Sequence, residues 1–441
     1  MKKSVLINRI IKPFNKKIEV TSDKSISIRC VLLASQAIGT SKIYNLLESE
    51  DVINSLLAIK KLGINYKKFK NFYEIYGYGI NGFYPKKNAR INAGNSGTLS
   101  RLILGLLINI RNKVYIVGDA SLSKRDFSRV TEPLKSFGAN IVSKNNTLPL
   151  SILGSEFLSP INFKEKLGSA QSKSSVMLAA LKTPGTTIIK AKKSRDHTEL
   201  LFKYLKVPIS IKREQKYDLI KVDGPFNFKG FNYKVPGDIS SCSFFLVLTL
   251  LSKNSKICIK NVNINKTRIG IVNILNRMNA KILFKNRRSY NGEIIGDIFV
   301  KSETNLKAIK CPKSLNSYAI DEFLIIFLVA AKAKGISSFS NLGELNKKES
   351  PRLEVALKFL KMIGVNFLRS GDDIKIYGRP DLNLNGNYTM KNFRKDHRVF
   401  MMSCIAALTF GGTWKIHDKD SIKTSFPNFI KKIKSLGAKV Y

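Results

Sequence analysis

Apolar and polar stretches alternate in a slow rhythm along the chain. Apolar segments that end at Gly or Asn and lead into β-rich stretches recur at intervals of about 70 to 80 residues. These ends lie at Gly39, Asn112, Gly185, Asn254, Gly335 and Gly412. Helical segments that turn into a strand recur out of phase with them, at Gly63, Gly138, Lys206, Asn279, Gly364 and Gly437. The two markers predict six repeats, each with two helices and several strands; chance recurrence of common turns is the alternative.

Six repeats of about 70 residues exceed one ordinary core, so the sequence predicts two lobes of three repeats each. The pattern breaks near Val20–Ser22 and at Val235-Pro236-Gly237-Asp238. We therefore expect an inserted lobe over residues 22–235 and a second lobe made of residues 1–21 and 236–441. A cleft between two such lobes would be the natural ligand site.

Composition narrows the class of protein. The longest apolar runs, Phe244–Leu251 and Phe323–Ala331, are shorter than the roughly 20 residues that cross a bilayer, so both are predicted to be buried helices. The N-terminus lacks the apolar segment of a secretory signal. The 5 cysteines are scattered and form no CxxC pair, which argues against a disulfide framework or a zinc site. We expect a cytoplasmic protein.

The net charge of +45 would ordinarily suggest a nucleic-acid or membrane partner. Lysines are nevertheless spread over nearly every predicted element, without a dense basic tail. This distribution favours a solvated basic surface over a nucleic-acid groove. In either case the charge attracts anionic substrates.

Basic, hydroxyl-rich segments recur where helices are predicted to begin. A helix that begins near Ser25 would gather Lys24 and Arg29 at its positive end, where an anion can bind. The glycine-interrupted loop at 92–101 and the basic loop at 118–125 have a similar character. Each segment alone is equally consistent with a simple cap or a solvated turn.

Carboxylates stand out in the second half because the chain has 31 acidic against 76 basic residues. Asp321 and Glu322 precede a very apolar helix, a position that suits acid–base chemistry or simply stabilises the helix dipole. The segments 347–352 and 395–398 place further charged groups at helix starts, with Ser350 as the expected N-cap. Facing helix starts of this kind predict a small polyanionic ligand.

Taken together, these segments resemble the EPSP synthase (3-phosphoshikimate 1-carboxyvinyltransferase) family, in its second bacterial class. The matching fragments are Asp23-Lys24-Ser25-Ile26-Ser27-Ile28-Arg29, Gly94-Asn95-Ser96-Gly97-Thr98, Ser169-Ala170-Gln171, Arg195-Asp196-His197-Thr198-Glu199, Lys348-Glu349-Ser350 and Asp396-His397-Arg398. They occur in the family's order over almost the whole chain. The resemblance implies an α/β (α+β) fold of two similar lobes, each built from three βαβαββ units, with the active site in the interdomain cleft.

The resemblance also implies a reaction. The enolpyruvyl group of phosphoenolpyruvate is transferred to the 5-hydroxyl of shikimate 3-phosphate, and phosphate is released by addition–elimination. This is a step of the shikimate pathway, which leads to the aromatic amino acids. The resemblance implies no metal or organic cofactor, no membrane and no obligate nucleic acid, and we expect a monomer.

Residue roles follow from the matched motifs. Contacts to shikimate 3-phosphate are implied for Lys24, Ser25, Arg29, Ser169, Ala170, Gln171, Ser194 and Lys348, and contacts to phosphoenolpyruvate for Lys24, Gly97, Arg125, Arg352 and Arg398. Asp321 corresponds to the family's proposed base for the hydroxyl. Glu349 and Lys24 correspond to its proton-transfer groups.

Several positions depart from the family pattern. Asp23 adds a carboxylate beside Lys24, Asp126 replaces the usual Pro, Pro351 replaces the usual Asp, and Lys423 lies one position too early to match a lysine found in some members. The related UDP-N-acetylglucosamine enolpyruvyl transferase is a rival, but that family has Lys-Asn in its first motif and usually a cysteine in a mobile loop. A basic nucleic-acid-binding protein, or a remnant that only binds ligand, is the rival from another class.

Overall fold

The computed structural model describes residues 4–441, which form two compact units. The inserted lobe comprises Ser22–Val235 with Ser289–Glu293, and the second lobe comprises residues 4–21, Pro236–Arg288 and Ile294–Tyr441. The sequence had placed residues 289–293 in the second lobe. They group with the inserted lobe because Glu293 contacts His197 there.

The chain begins with two strands that complete sheets of the second lobe, β1 (Ser4–Ile7) and β2 (Asn15–Glu19). The inserted lobe then follows. Its helices are α1 (Lys24–Ala34), α2 (Glu50–Lys61), α3 (Gly97–Leu106), α4 (Ser128–Ser136), α5 (Ala170–Ala180) and α6 (His197–Tyr204). Its strands are β3 (Ile38–Tyr44), β4 (Tyr66–Lys68), β5 (Phe72–Tyr78), β6 (Ala89–Asn92), β7 (Val114–Val117), β8 (Asn140–Ser143), β9 (Leu150–Leu153), β10 (Asn162–Glu165), β11 (Gly185–Lys192), β12 (Ile209–Arg213), β13 (Tyr217–Gly224) and β14 (Asn232–Lys234).

These strands form three sheets of one design, ordered β14-β3-β5-β4, β6-β7-β9-β8 and β10-β11-β13-β12. In each sheet a parallel pair is followed by two antiparallel neighbours. A helix supplies the crossover between the parallel strands β6 and β7 and between β10 and β11, whereas the parallel partner of β3 is β14, from the end of the lobe. In each sheet the last two strands form a hairpin. The unit is therefore strand, helix, strand, helix, strand, strand.

The second lobe has a related design, with one sheet of four strands and two sheets of three. Its helices are α7 (Ile239–Leu251), α8 (Gly270–Arg277), α9 (Asn316–Ala319), α10 (Phe323–Lys332), α11 (Arg352–Met362), α12 (His397–Phe410) and α13 (Phe429–Ser435). Its strands are β15 (Lys256–Asn263), β16 (Leu283–Tyr290), β17 (Glu293–Lys301), β18 (Ile336–Phe339), β19 (Phe367–Ser370), β20 (Asp373–Tyr377), β21 (Leu384–Met390) and β22 (Gly411–His417). The sheet orders are β16-β17-β15-β2, β18-β20-β19 and β1-β22-β21.

Backbone conformation explains the two sequence markers. All six residues of the helix-to-strand marker have positive φ: Gly63, Gly138, Lys206, Asn279, Gly364 and Gly437. A residue in this left-handed conformation ends a helix by bonding its last carbonyls, which favours Gly or Asn. The other marker is the end of an apolar segment that leads into a β-rich stretch. Five of its six residues also have positive φ: Gly39, Gly185, Asn254, Gly335 and Gly412. The predicted sixfold repeat and two-lobed α/β fold are confirmed.

Each lobe buries its own apolar core. The two apolar runs singled out in the sequence lie in α7 and α10, whose residues are almost all buried. Over residues 4–441, no helix has the combined length and apolarity needed to cross a bilayer.

Lys182, just after α5, predicts a pH dependence of stability. Its amine donates to the Ile80 carbonyl and to Asn109 Oδ1 at 3.1 Å, and burial lowers its pKa from 10.5 to about 7. Below pH 7 the folded state holds a buried cation. Between pH 7 and 10.5 the unfolded chain binds the extra proton, so stability rises with pH. From pH 7 to 9 we expect a gain of about 2 kcal/mol in unfolding free energy.

Urea denaturation of the parent protein and of Lys182→Met at pH 7 and pH 9 measures this contribution. It equals the difference between the two proteins in how much their unfolding free energy changes from pH 7 to 9. The variant should lack the gain, since every other titrating group is common to both proteins. Equal pH slopes for the two proteins would contradict a neutral buried Lys182 at pH 9.

Candidate active site

The first predicted motif lies at the start of α1 in the inserted lobe. Asp23 caps this helix, with Oδ1 accepting from the Ile26 amide at 2.9 Å, and it is fully buried. The Nζ atom of Lys24 lies 2.8 Å from Oδ2 of Asp51, in the first turn of α2. Asp23 is therefore a helix cap, and the direct acidic neighbour of Lys24 is Asp51, which sequence reasoning missed.

Arg29, also on α1, is buried among protein acceptors. Its Nε donates to Thr198 Oγ1 at 2.8 Å, its Nη2 to Ser174 Oγ at 3.0 Å and its Nη1 to the Ser25 carbonyl at 3.0 Å. Thr198 belongs to α6 and Ser174 to α5. Arg29 thus joins the N-terminal parts of three helices.

The first turn of α6 carries the Arg-Asp-His-Thr-Glu motif, and its side chains bind other elements. Glu199 Oε1 lies 2.5 Å from Nζ of Lys173 on α5, with both side chains buried. His197 Nδ1 lies 2.5 Å from Oε1 of Glu293, again with both buried. The structure therefore gives His197 a pairing role. This part of the motif supports the surrounding helices.

This turn leads to a prediction for Thr198→Val. The change removes the hydroxyl that contacts both Arg29 and Ser174, whose Oγ is 2.7 Å away. We expect a loss of about 1–3 kcal/mol in unfolding free energy, because buried donors lose their acceptor. Urea denaturation tests this, with Thr413→Val on the half-exposed strand β22 as the matched control. A loss no greater than that of the control would contradict the proposed support.

The glycine loop ends at α3, where two guanidinium groups meet. Ser96 caps the helix, with its hydroxyl accepting from the Leu99 amide. A Cβ atom on Gly97 would lie 2.8 Å from Nη1 of Arg101 and 3.0 Å from Nη1 of Arg125. Glycine is therefore needed for both arginines to reach this helix end. Arg101 is a second residue that sequence reasoning passed over.

Gln171 links this helix end to α5. Its Oε1 accepts from Arg101 Nη1 at 3.1 Å, and its Nε2 donates to Thr98 Oγ1 at 3.0 Å. Ser169 is the N-cap of α5 and accepts from the Ser172 amide at 3.3 Å, with Ala170 as the first helical residue. The predicted glycine-loop and Ser-Ala-Gln motifs thus form one connected, positively charged helix-end cluster.

Two predicted site residues of this lobe, among other side chains, have a buried polar atom that hydrogen-bonds no protein atom in the described chain. The Ser194 hydroxyl is buried, and within the described chain no atom hydrogen-bonds it. The Nε atom of Arg125 is likewise buried without a partner there, although its Nη2 donates to Asn95 Oδ1 at 2.6 Å. Buried polar atoms normally find partners, so both are suited to receive a ligand.

The second lobe assembles its predicted residues around Arg352, the first residue of α11. Its Nε lies 2.9 Å from Asp396 Oδ2, its Nη1 3.2 Å from Asp321 Oδ1 and its Nη2 2.5 Å from Glu349 Oε2. Burial alone would lower the pKa of Arg352, but the three carboxylates raise it. For Asp396 the two effects have the opposite signs. Burial alone would raise the pKa of its carboxyl, but the Arg352 guanidinium holds that pKa below its usual value.

Asp321 lies among three cations. Besides Arg352, Nζ of Lys348 is 3.5 Å and Nη2 of Arg398 is 3.8 Å from its carboxylate. Its side chain is 14% exposed, against 19% for Glu349, so solvent reaches both predicted proton-transfer groups of this lobe. Asp321 precedes α10, Arg352 begins α11 and Asp396 caps α12. Three helix N-termini therefore meet at this cluster.

One helix start differs from the sequence prediction, and two residues that depart from the family pattern have local partners. Ser350 was expected to cap α11, but its hydroxyl donates to Asp396 Oδ2 at 2.9 Å and Pro351 occupies the cap position. Asp126 accepts from the Ser128 amide at 2.8 Å and so shapes the turn before α4. Lys423 forms an exposed pair with Asp420.

Comparison with known proteins places the chain in a family. Residues 8–433 match the family model described as EPSP synthase (3-phosphoshikimate 1-carboxyvinyltransferase). A protein of that name from Ruthia magnifica is 38% identical over 439 residues, 98% of each chain, and one from Zymomonas mobilis is 36% identical over 98% of this chain and 96% of its own.

A solved EPSP synthase from Acinetobacter baumannii has the same fold, with a TM-score of 0.85 and 33% identity over 99% of each chain. The two-lobed α/β fold agrees with these matches. The chain belongs to the EPSP synthase family, the enolpyruvyl transferases that join phosphoenolpyruvate to shikimate 3-phosphate in aromatic biosynthesis.

Proposed function

We propose that the second-lobe cluster performs the acid–base steps of the family's transfer. The observation that carries this proposal is the cluster of Asp321, Glu349 and Arg352, in which two partly exposed carboxylates share one buried guanidinium. Such a group can bind an anion and move protons at the same place.

Asp321 is the base in this proposal. As the 5-hydroxyl oxygen attacks C2 of phosphoenolpyruvate, its proton passes to the Asp321 carboxylate, while Glu349 or Lys24 delivers a proton to the methylene carbon. The tetrahedral intermediate then returns a proton from the new methyl group to the residue that delivered it. The hydroxyl proton held by Asp321 leaves with the phosphate, and this elimination forms the enol ether of the product. Each proton is accounted for, and no further reactant is needed.

Arg352 is proposed to exchange a partner when it holds phosphoenolpyruvate. Each of its three guanidinium nitrogens donates to a carboxylate, and Glu349 is the most exposed of the three carboxylates. We propose that the substrate's anionic group displaces Glu349. The displaced carboxylate loses its cation, which favours protonation and prepares it as an acid.

The inserted lobe is proposed to hold shikimate 3-phosphate. Lys24, Ser25, Ser169, Ala170, Gln171 and Ser194 supply its contacts, together with Lys348 of the second lobe. Support comes from the buried Ser194 hydroxyl, which has no partner within residues 4–441, and from the helix start of α5, where Ser169 is the N-cap. Arg29 is included in this set, and its bonds to Ser25, Ser174 and Thr198 fix its guanidinium among the helix starts of the inserted lobe.

Phosphoenolpyruvate is proposed to contact Gly97, Arg125, Arg352, Arg398 and Lys24. The two guanidinium groups that approach Gly97 support a phosphate at the start of α3, because a helix N-terminus and arginines both favour anions. The buried Nε of Arg125 adds a donor directed at no protein atom in the described chain.

We further propose a cytoplasmic monomer. All five cysteines are free thiols and four of them are buried, which suits a reducing compartment. Size-exclusion chromatography with light scattering should give the mass of one 49.5 kDa chain. A dimer mass at micromolar concentration would overturn the monomer.

The proposed function is tested by phosphate release from phosphoenolpyruvate with purified protein and two alternative acceptors. Release that requires shikimate 3-phosphate is the expected result. Release with UDP-N-acetylglucosamine instead would overturn the acceptor assignment. Absence of release with either acceptor, despite binding of shikimate 3-phosphate, would leave a binding protein without the chemistry.

A further inference from the structure

Glu322 is a buried carboxylate that the proposed chemistry does not use. It follows Asp321 directly, precedes α10 and is 1% exposed. Its Oε1 accepts a hydrogen bond from the Ser240 hydroxyl, while its Oε2 contacts no hydrogen-bond donor within residues 4–441. Burying an acid with so few donors is unfavourable, so its position needs another explanation.

One side of Glu322 is held by a fixed polar chain. Asp238 caps α7 by accepting from the Ser240 amide at 2.8 Å. Nη2 of the buried Arg268 donates to Ser240 Oγ at 2.9 Å and to Asp238 Oδ1 at 3.2 Å. Because the Ser240 hydroxyl accepts from Arg268, its single proton is directed to Glu322. The carboxylate is thereby fixed against α7.

The other side of Glu322 faces Arg398. Nη1 of Arg398 lies 3.8 Å from Glu322 Oε1, and Nη2 lies 3.8 Å from Asp321 Oδ2. Both distances exceed a hydrogen bond, so the guanidinium is attracted by both carboxylates and bonded to neither. Two consecutive acids therefore share one arginine, and only Asp321 of the two is partly exposed.

We propose that Glu322 is a positioning residue for Arg398, with Ser240 and Arg268 as its support. The fixed charge of Glu322 balances the attraction of Asp321, so the guanidinium stays available to phosphoenolpyruvate and Asp321 stays available as a base. This inference rests on the proposed roles of Arg398 and Asp321. Without the charge on Glu322, Arg398 would pair closely with Asp321.

Steady-state kinetics of Glu322→Gln test this role, since glutamine keeps the shape and can still accept from Ser240. We expect the KM for phosphoenolpyruvate to rise about tenfold and kcat to fall, while the KM for shikimate 3-phosphate stays within about twofold. Glu354→Gln is the matched control, because Glu354 pairs with Arg369 at the surface of α11. The control should resemble the parent.

A double-mutant cycle with Arg398→Lys separates positioning from general damage. If Glu322 acts through Arg398, the double variant should have nearly the same KM for phosphoenolpyruvate as Arg398→Lys alone. Effects that multiply, or an equal rise in both KM values, would overturn the proposal.

Ser240→Ala provides a second test in case Glu322→Gln fails to fold. It should raise the KM for phosphoenolpyruvate about threefold, because the carboxylate loses its directed donor. An unchanged KM would overturn the proposed support of Glu322 by Ser240. If the parent itself releases no phosphate with shikimate 3-phosphate, the proposed function fails; an active parent with unaffected variants refutes only the role of Glu322.

Discussion

Replacing Arg352 by methionine is expected to lower the unfolding free energy by about 3–5 kcal/mol, because it leaves buried carboxylates without their cation. Asp396 is fully buried and is bonded by both Nε and Nη2 of Arg352. Activity should also be lost, since the same guanidinium is the proposed anion-binding group. Urea denaturation measures the first effect and phosphate release the second.

The destabilisation should depend on pH in a defined direction. In the parent the pKa of Asp396 is lowered, so its contribution to stability is lost as pH falls below the carboxyl's ordinary value. In Arg352→Met, burial without a cation raises that pKa, and stability falls as pH rises. The gap between the two proteins should therefore be smaller at pH 5 than at pH 8.

Two further variants test whether the unpaired charge of Asp396 causes the loss of stability in Arg352→Met. Arg352→Met combined with Asp396→Asn should recover part of the lost stability, because the unpaired charge is removed. Arg369→Met is the matched control, since Arg369 pairs with Glu354 at the surface and should cost less than about 1 kcal/mol. A loss from Arg352→Met that is no larger than that of the control would contradict the buried cluster.

Asp321→Asn is expected to lower kcat by about a hundred- to ten-thousand-fold, since the amide cannot accept the proton of the attacking hydroxyl. Binding of shikimate 3-phosphate, measured by calorimetry, should change less than about threefold, because this ligand is assigned chiefly to the inserted lobe. Asp381→Asn, at an exposed position between β20 and β21, serves as the control. A kcat within tenfold of the parent would remove Asp321 from the role of base.

The repeat and the helix starts could be predicted from the sequence because their causes are local. The left-handed conformation after a helix favours Gly or Asn, and that preference produced the marker at residues such as Gly63 and Gly437. Asp396 caps α12 by accepting a hydrogen bond from the amide of Arg398, only two residues further along the chain. Such features are visible in short segments of sequence.

The partners inside the site could not be predicted because they are far apart in sequence. Arg352 reaches Asp396 across 44 residues, and Arg29 reaches Thr198 across 169. Ser350 looked like a cap because its local pattern fits one, but the distant Asp396 binds its hydroxyl instead. Asp51 left no signal, because an acidic residue in the first turn of a helix is common for electrostatic reasons alone.

The most direct test of the central claim is the identity of the products. Phosphorus NMR of the purified protein with phosphoenolpyruvate and shikimate 3-phosphate should show the phosphoenolpyruvate signal decreasing as inorganic phosphate appears in equal amount. A new phosphate-monoester signal, from the enolpyruvyl product, should replace that of shikimate 3-phosphate. Phosphate that appears equally without shikimate 3-phosphate, or a shikimate 3-phosphate signal that does not change, would contradict enolpyruvyl transfer by this chain.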